Sequence, residues 1–218
     1  MKISVSTNPP KKEELLNYIA SFNTLDVDYI HADVMDGIMV ENKTFNSTFL
    51  QEIKKVSSLP IDVHLMVFNP QVEYKNYFQK GVDCISLHYE GISNDLTLVS
   101  ILKDIQKHGI KSSLAIKIYT PLNEFFPLLK YCDRVLVMSV QIGKSGQDFN
   151  IKALNKIAQI KEYIDKNNLK TTIEVDGGVT PQIVPQLKQL GVSSIVVGGY
   201  LYNAKDKKKA ILELKKYL

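Results

Sequence analysis

The sequence alternates between short apolar segments and longer segments with apolar residues at helical spacing, and this pair of segments occurs eight times. Short apolar segments predict β-strands, and apolar residues three or four positions apart predict helices. The predicted strands are residues 2–6, 28–34, 60–66, 83–88, 111–116, 133–138, 169–175 and 193–197. The predicted helices are residues 11–22, 47–56, 70–80, 96–108, 121–131, 151–167, 181–190 and 205–218.

Eight consecutive strand–helix units favour a closed (β/α)8 TIM barrel of the α/β class, and we expect residues 1–218 to form a single domain. Residues 135–138 and 195–197 are continuous apolar runs, as in parallel strands that helices cover on the outside. An open doubly wound sheet is the alternative. That fold usually has a glycine-rich turn after its first strand, whereas residues 6–10 contain no glycine.

Composition excludes several classes of protein. The net charge is +4, but 26 of the 27 basic residues are lysine and no aromatic stripe accompanies them, so we expect solvated helix faces and no nucleic-acid partner. Cys84 and Cys132 stand at the edges of apolar runs, as buried thiols in a reducing compartment do. Met1 leads directly into a strand, and no apolar run reaches the roughly 18 residues of a membrane span. We therefore expect a cytoplasmic protein.

Residues with metal-ligand side chains stand at or near the ends of several predicted strands. His31 and Asp33 point to the same face of strand two because side chains alternate along a strand. His64, His88 and Asp176 stand at strands three, four and seven. In a barrel these strand ends converge on one mouth. Two histidines and two aspartates would suit one divalent cation (Zn, Fe(II), Mn or Co), of which we favour Zn.

Two pairs of glycines follow the last two predicted strands. Gly177 and Gly178 follow strand seven, and Gly198 and Gly199 follow strand eight. Turns of this kind allow the backbone to approach a ligand and to direct N–H groups at it, as in the phosphate sites of many barrels. The sequence therefore predicts a phosphate site at this side of the mouth.

Four segments resemble the ribulose-phosphate 3-epimerase family of barrels: Asp-Val-Met-Asp-Gly at 33–37, Asp-Val-His-Leu-Met at 62–66, Val-Met-Ser-Val at 137–140 and Glu-Val-Asp-Gly-Gly at 174–178. The resemblance covers essentially the whole chain. It implies that the metal ligands are His31, Asp33, His64 and Asp176, and that Asp33 and Asp176 are also the catalytic acid/base pair.

The resemblance also implies a set of substrate-binding residues around the mouth. Ser6 and His64 would contact the sugar, Met35, Met66 and Met138 would pack about the reacting carbons, and Gly177, Gly178, Gly198 and Gly199 would hold the phosphate. The loop at 141–147 can bend over the mouth, and we include its residues Gly143, Lys144, Ser145 and Gly146. Lys144 is either a phosphate contact or a solvated loop lysine.

The implied function is metal-dependent 3-epimerisation of a ketose phosphate, D-ribulose 5-phosphate to D-xylulose 5-phosphate in the pentose phosphate pathway, by two-carboxylate proton transfer through an ene-diolate. The segments at 7–10, 39–42, 116–118 and 141–147 depart from the family pattern, which alters the mouth but leaves both carboxylates in place. A six-carbon substrate such as D-allulose 6-phosphate, a non-catalytic phospho-sugar-binding barrel, and a decarboxylase that uses Lys117 are the alternatives. We expect a homo-oligomer.

Overall fold

Eight parallel strands close into a barrel in chain order in the computed structural model, which describes residues 1–217. The strands are β1 (Lys2–Ser6), β2 (Tyr29–Met35), β3 (Ile61–Met66), β4 (Val82–His88), β5 (Lys111–Ile116), β6 (Arg134–Met138), β7 (Thr172–Asp176) and β8 (Ser194–Val197). The predicted (β/α)8 barrel is therefore confirmed, and each strand lies within two or three residues of its predicted bounds.

Helices cover the outside of the barrel. They are α1 (Leu15–Ala20), α2 (Phe49–Val56), α3 (Pro70–Glu73), α4 (Asp95–Lys107), α5 (Lys152–Lys166), α6 (Val184–Gln189), α7 (Gly199–Tyr202) and α8 (Lys207–Lys215), with 3-10 helices at Tyr74–Tyr77, Tyr89–Gly91 and Phe126–Tyr131. Within residues 1–217, none of these helices combines the length and the apolar character that a membrane span requires. The predicted end of the last helix, at residue 218, lies outside the described residues.

Two predicted helices are wrong in type over part or all of their length. The predicted helices at 11–22 and 181–190 form but are shorter, at Leu15–Ala20 and Val184–Gln189. Only a 3-10 helix forms within the predicted helix at 121–131, because Pro127 lacks an N–H donor and restricts the residue before it. The predicted helix at 70–80 divides into α3 and a 3-10 helix. Tyr74 and Tyr77 have modest α-helix propensity, and 3-10 geometry places residues i and i+3 on one side, so both rings are buried. The short helix α7 was not predicted, because glycine is a poor helix former.

The two faces of the barrel strands differ in chemistry. Alternate strand residues, such as Ile30, Ala32 and Val34 of β2, belong to the apolar core between the strands and the helices. The residues between them, such as His31 and Asp33, are polar although they are buried. Barrel interiors are usually filled by branched apolar side chains. The polar interior of this barrel therefore positions charged groups well below its mouth.

The two cysteines lie within this framework as free thiols. Cys84 and Cys132 are both buried, as the sequence predicted. Burial raises the pKa of the Cys132 thiol to about 12, so this side chain is an un-ionised, unreactive thiol at neutral pH.

Candidate active site

Strands β2, β3 and β7 bring the four predicted metal ligands together. Nδ1 of His64 lies 3.2 Å from Oδ1 of Asp33 and 3.4 Å from Nε2 of His31. Nε2 of His31 lies 3.6 Å from the same Asp33 oxygen. Oδ2 of Asp176 lies 3.8 Å from each of these two histidine nitrogens. One atom from each residue therefore faces a common centre.

The spacing of these four atoms fits a divalent cation. A tetrahedral zinc site with ligands about 2.0–2.2 Å from the metal has edges of roughly 3.3–3.6 Å. The distances of 3.2–3.8 Å given above lie close to this range, and all four ligand atoms lie within 4.8 Å of one another. Two imidazoles with two carboxylates form a donor set that such cations accept, and the carboxylates balance their charge. The cluster can therefore hold one metal ion.

Burial and neighbouring charges shift the pKa values of the two carboxylates in opposite directions. Although burial raises the pKa of Asp33, the neighbouring His31 and His64 and a hydrogen bond from Ser6 lower it below its usual value. Burial and the charge of Asp33 raise the pKa of Asp176 to about 7, although His31 opposes this shift. Burial lowers the pKa of His31, but Asp33, Asp62 and Asp176 outweigh it and raise that pKa to about 10. The cluster therefore favours positive charge at its centre.

A second buried cluster, which the sequence patterns above did not predict, lies beneath the first one. Oδ2 of Asp62 lies 3.1 Å from Nδ1 of His31 and accepts a 2.7 Å hydrogen bond from Arg134. Arg134 also donates to Glu174, which accepts a hydrogen bond from Ser4. Period-two alternation could have identified this cluster, because Asp62 and Glu174 precede His64 and Asp176 by two residues on their strands.

A cavity of about 710 Å³ opens at the carboxyl ends of the strands. Its lining includes most of the predicted site residues: Ser6, Asp33, Met66, Met138, Gly143, Lys144, Ser145, Gly146, Asp176, Gly177, Gly178, Gly198 and Gly199. Met35 is not part of this lining, because it packs behind it in an apolar cluster with Met66 and Met138. His31 and His64 are fully buried behind the two aspartates. Lys117 lines a neighbouring cavity, which shares the loop at 140–144 with the first one but includes neither Asp33 nor Asp176 in its lining.

Ser6 is positioned by the cluster itself. Its hydroxyl donates a 2.8 Å hydrogen bond to Oδ2 of Asp33, whose other oxygen faces the two histidines. The backbone N–H of Asp33 donates to the hydroxyl of Thr7. The carboxylate of Asp33 is therefore held in one orientation, and Ser6 touches it as well as the cavity.

The fold itself requires glycine in the turn after β7, whether or not a ligand binds there. Gly178 has a φ of +61°, and a Cβ atom there would lie 2.2 Å from the backbone nitrogen of Phe149. Another residue at this position would push the turn away from the loop before α5. Gly177 and Gly178 also line the cavity.

The loop at 141–147 closes one side of the cavity. The side-chain amide of Gln147 donates to the carbonyl oxygens of Gln141 and Lys144, which fixes the shape of the loop. The ammonium of Lys144 lies 3.7 Å from Oε2 of Glu41, and both side chains are more than half exposed. Lys144 therefore borders the cavity but already has an ion-pair partner.

Two basic residues beyond β8 also line the cavity and were missed. Lys205 and Lys209 lie past the glycine pair at 198–199, at or near the start of α8. In the sequence they look like part of the lysine-rich last helix, and only the closure of the barrel brings them beside Gly198.

The fold and the mouth are those of the (β/α)8 barrel enzymes, which carry active-site residues at the carboxyl ends of their strands and a phosphate site after strands seven and eight. Within that class, the chain belongs to the ribulose-phosphate 3-epimerase family, whose sequence model matches residues 2–202. This confirms the resemblance found in the sequence and the predicted enzyme class, an isomerase.

Curated relatives agree with this assignment. The chain is 33% identical over 189 residues to a ribulose-phosphate 3-epimerase of Mycobacterium leprae (strain TN), which covers 87% of this chain and 83% of the relative. It is 36% identical over 179 residues to the protein of the same name from Aquifex aeolicus (strain VF5), covering 82% and 79% of the two chains. A crystal structure of 3-hexulose-6-phosphate synthase superposes with a TM-score of 0.67 over 100% of both chains, but at 19% identity it shows the shared fold alone.

Proposed function

We propose that this protein is a metal-dependent ketose-phosphate 3-epimerase that interconverts D-ribulose 5-phosphate and D-xylulose 5-phosphate. The observation that carries this proposal is the cluster of His31, Asp33, His64 and Asp176, whose two carboxylates line the cavity while its two histidines lie behind them. The family match and relatives named ribulose-phosphate 3-epimerase support the same reaction.

Two carboxylates on opposite sides of the substrate can carry the proton transfer. Epimerisation beside a ketone requires a base that removes a proton from one face of the carbon and an acid that returns a proton to the other face. Asp33 belongs to β2 and Asp176 to β7, and the barrel order places β8 and β1 between them. A substrate that lies over β8 and β1 therefore has one carboxylate on each side.

The surroundings of the carboxylates suit a charged intermediate. A divalent cation, when bound, supplies positive charge that stabilises the negative charge developing on the ene-diolate. Ser6 holds Asp33 in place through its hydrogen bond. Met66 and Met138 line the cavity with apolar, polarisable side chains that carry no exchangeable proton, so they exclude water without protonating the intermediate.

The phosphate of the substrate belongs at the side of the cavity formed by the turns after β7 and β8. Gly177, Gly178, Gly198 and Gly199 line this side and leave the backbone accessible. Lys205 and Lys209 add positive charge at the same end. This arrangement would place the phosphate away from the carboxylates, with the sugar carbons between them.

A non-catalytic phospho-sugar-binding barrel has no use for two carboxylates in the cavity beside two buried histidines. A decarboxylase that uses Lys117 is disfavoured, because Lys117 lines the neighbouring cavity, whose lining contains neither Asp33 nor Asp176. The relatives named ribulose-phosphate 3-epimerase favour the five-carbon substrate over a six-carbon one such as D-allulose 6-phosphate.

The test is turnover by the purified protein loaded separately with Zn, Fe(II), Mn or Co. Conversion of D-ribulose 5-phosphate to D-xylulose 5-phosphate is followed by NMR, with D-allulose 6-phosphate as a parallel substrate. We expect conversion with at least one metal and a higher kcat/KM for ribulose 5-phosphate. Preference for allulose 6-phosphate would overturn the substrate assignment, and no turnover of either sugar would overturn the reaction.

A further inference from the structure

His88, at the end of β4, lies next to the ligand cluster but outside it. Its Nε2 atom lies 2.9 Å from Nε2 of His64, the ring nitrogen that faces away from the cluster. Its Nδ1 atom lies 3.1 Å from Oε2 of Glu90. His88 is buried, and the proposed proton transfer does not use it. A chain of three side chains therefore runs from the cluster to Glu90.

In the series of side chains His64, His88 and Glu90, Glu90 acts only as a hydrogen-bond acceptor. Its Oε1 atom accepts hydrogen bonds from the backbone N–H of Lys117, at 2.8 Å, and from the hydroxyl of Thr120. Burial alone would raise the pKa of Glu90, but the hydrogen bonds from His88, from Thr120 and from the backbone of Lys117 lower it to about 2. An ionised carboxylate has no proton to donate, so His88 must carry a hydrogen on Nδ1.

The protonation of one ring then determines that of the next. A neutral His88 with hydrogen on Nδ1 has a lone pair on Nε2, and that lone pair accepts the N–H of His64. His64 with hydrogen on Nε2 presents the lone pair of Nδ1 to the cluster, where a metal ion can bind it. The opposite tautomer of His64 would place a hydrogen where the metal must bind.

We propose that Glu90 and His88 are positioning residues that fix the tautomer of His64, so that Nδ1 is its metal-binding atom. This inference rests on the proposed metal-dependent function. His31 is oriented by a different route, since Asp62 contacts its Nδ1 directly and leaves Nε2 for the metal. The two histidine ligands therefore use opposite ring nitrogens. The buried carboxylate of Asp62 fixes one ring directly, and the partly buried carboxylate of Glu90 fixes the other through His88.

Glu90→Gln tests the hydrogen bonds that link Glu90, His88 and His64, because it keeps the shape of Glu90 but replaces one oxygen by a donor. The amide oxygen satisfies the N–H of Lys117 and the hydroxyl of Thr120, so the amide N–H₂ faces His88 and reverses its tautomer. The Nε2 atoms of His88 and His64 then both carry a hydrogen and face each other, so neither can accept a hydrogen bond from the other. We expect affinity for Zn, measured by competition with a chelator, to fall by about 10–100-fold.

Two further variants separate the hydrogen bond from the packing. His88→Leu removes the acceptor for His64 and should lower Zn affinity as Glu90→Gln does. His88→Gln can accept from His64 through its amide oxygen and donate to Glu90, so it should restore affinity to within a few-fold of the unmodified protein. Thr120→Val is the matched control: it removes a hydrogen bond to Glu90 but leaves the histidine chain intact, and it should retain Zn affinity.

The tautomer itself can be read by ¹⁵N NMR of the histidine rings in the zinc-loaded protein at a pH above 7.5, where the cation lies between Nδ1 of His64 and the carboxylate of Asp33. We expect the Nδ1–H form of His88 in the unmodified protein and the Nε2–H form in Glu90→Gln. Equal Zn affinity of the two proteins, or an Nε2–H form of His88 in the unmodified protein, would overturn the inference. Failure of the proposed function looks different, because the unmodified protein would then bind no metal and turn over no substrate.

Discussion

The Nδ1 atom of His31 lies 3.1 Å from Oδ2 of Asp62, and this contact joins the ligand cluster to the charged interior of the barrel. Because Asp62 also accepts from Arg134, its carboxylate is held on the side away from the cavity. A carboxylate behind a histidine ligand fixes the ring and increases its basicity. The cluster is therefore supported from below by groups that do not reach the substrate.

Removing either cavity carboxylate should stop the chemistry without unfolding the protein. Asp33→Asn and Asp176→Asn each remove one acid/base group and one metal-ligand charge, so we expect kcat to fall by at least about 10²–10⁴-fold. Steady-state kinetics with D-ribulose 5-phosphate measures the effect, and metal analysis confirms the loading. Near-normal turnover of either variant with a full metal complement would contradict the two-carboxylate mechanism.

Removal of the metal should abolish exchange of the carbon 3 proton, because the cation stabilises the charge of the ene-diolate by several kcal/mol in the transition state. His31→Ala and His64→Ala should have the same effect as a chelator. His108→Ala is the control, since this ring is about half exposed and contacts Asp104 outside the cluster. Full activity after dialysis against a strong chelator, with no cation in the metal analysis, would refute metal dependence.

The buried Arg134 should matter for stability more than surface ion pairs do. Arg134→Met leaves Asp62 and Glu174 buried without their cation, and breaking a buried pair in this way costs about 3–5 kcal/mol. Denaturant unfolding monitored by circular dichroism measures the loss. Arg134→Met combined with Glu174→Gln removes one charge of each sign and should lose less than the single variant. An equal or greater loss in the double variant would contradict this account of the charges.

Lys144 should affect substrate binding more than turnover. Its ammonium borders the cavity, so Lys144→Ala should raise KM for the ketose phosphate severalfold and reduce the salt sensitivity of KM. The phosphate does not change during the reaction, so kcat should change little. Glu41→Gln is the matched comparison: it frees Lys144 from its partner and should lower KM. Unchanged KM of Lys144→Ala at low salt would make Lys144 a solvated surface residue.

The sequence was most informative where one strand determines the position of a side chain. His31 and Asp33 follow from period-two alternation, and closure of the barrel brings them to His64 and Asp176. Asp62 and Glu174 obey the same alternation, so their positions on the inner face could be predicted, but no local pattern pairs Asp62 of β3 with Arg134 of β6 across the barrel.

Loops and short helices were the least predictable parts. The amide of Asn42 donates to the carbonyl of Gly143, a contact between residues 101 positions apart that no local pattern indicates. Pro127 limits the predicted helix at 121–131 to 3-10 geometry. The position of Lys205 beside the cavity likewise depends on the path of the chain after β8.

Hydrogen exchange at carbon 3 tests the central claim most directly. The metal-loaded protein is incubated with D-ribulose 5-phosphate in D₂O, and the sugars are followed by ¹H NMR from the first turnovers. With Asp33 and Asp176 on opposite faces, the proton that is removed is not the one returned, so the first D-xylulose 5-phosphate should carry deuterium at carbon 3. Product that retains the original proton, or an absence of both product and exchange, would contradict epimerisation by two carboxylates.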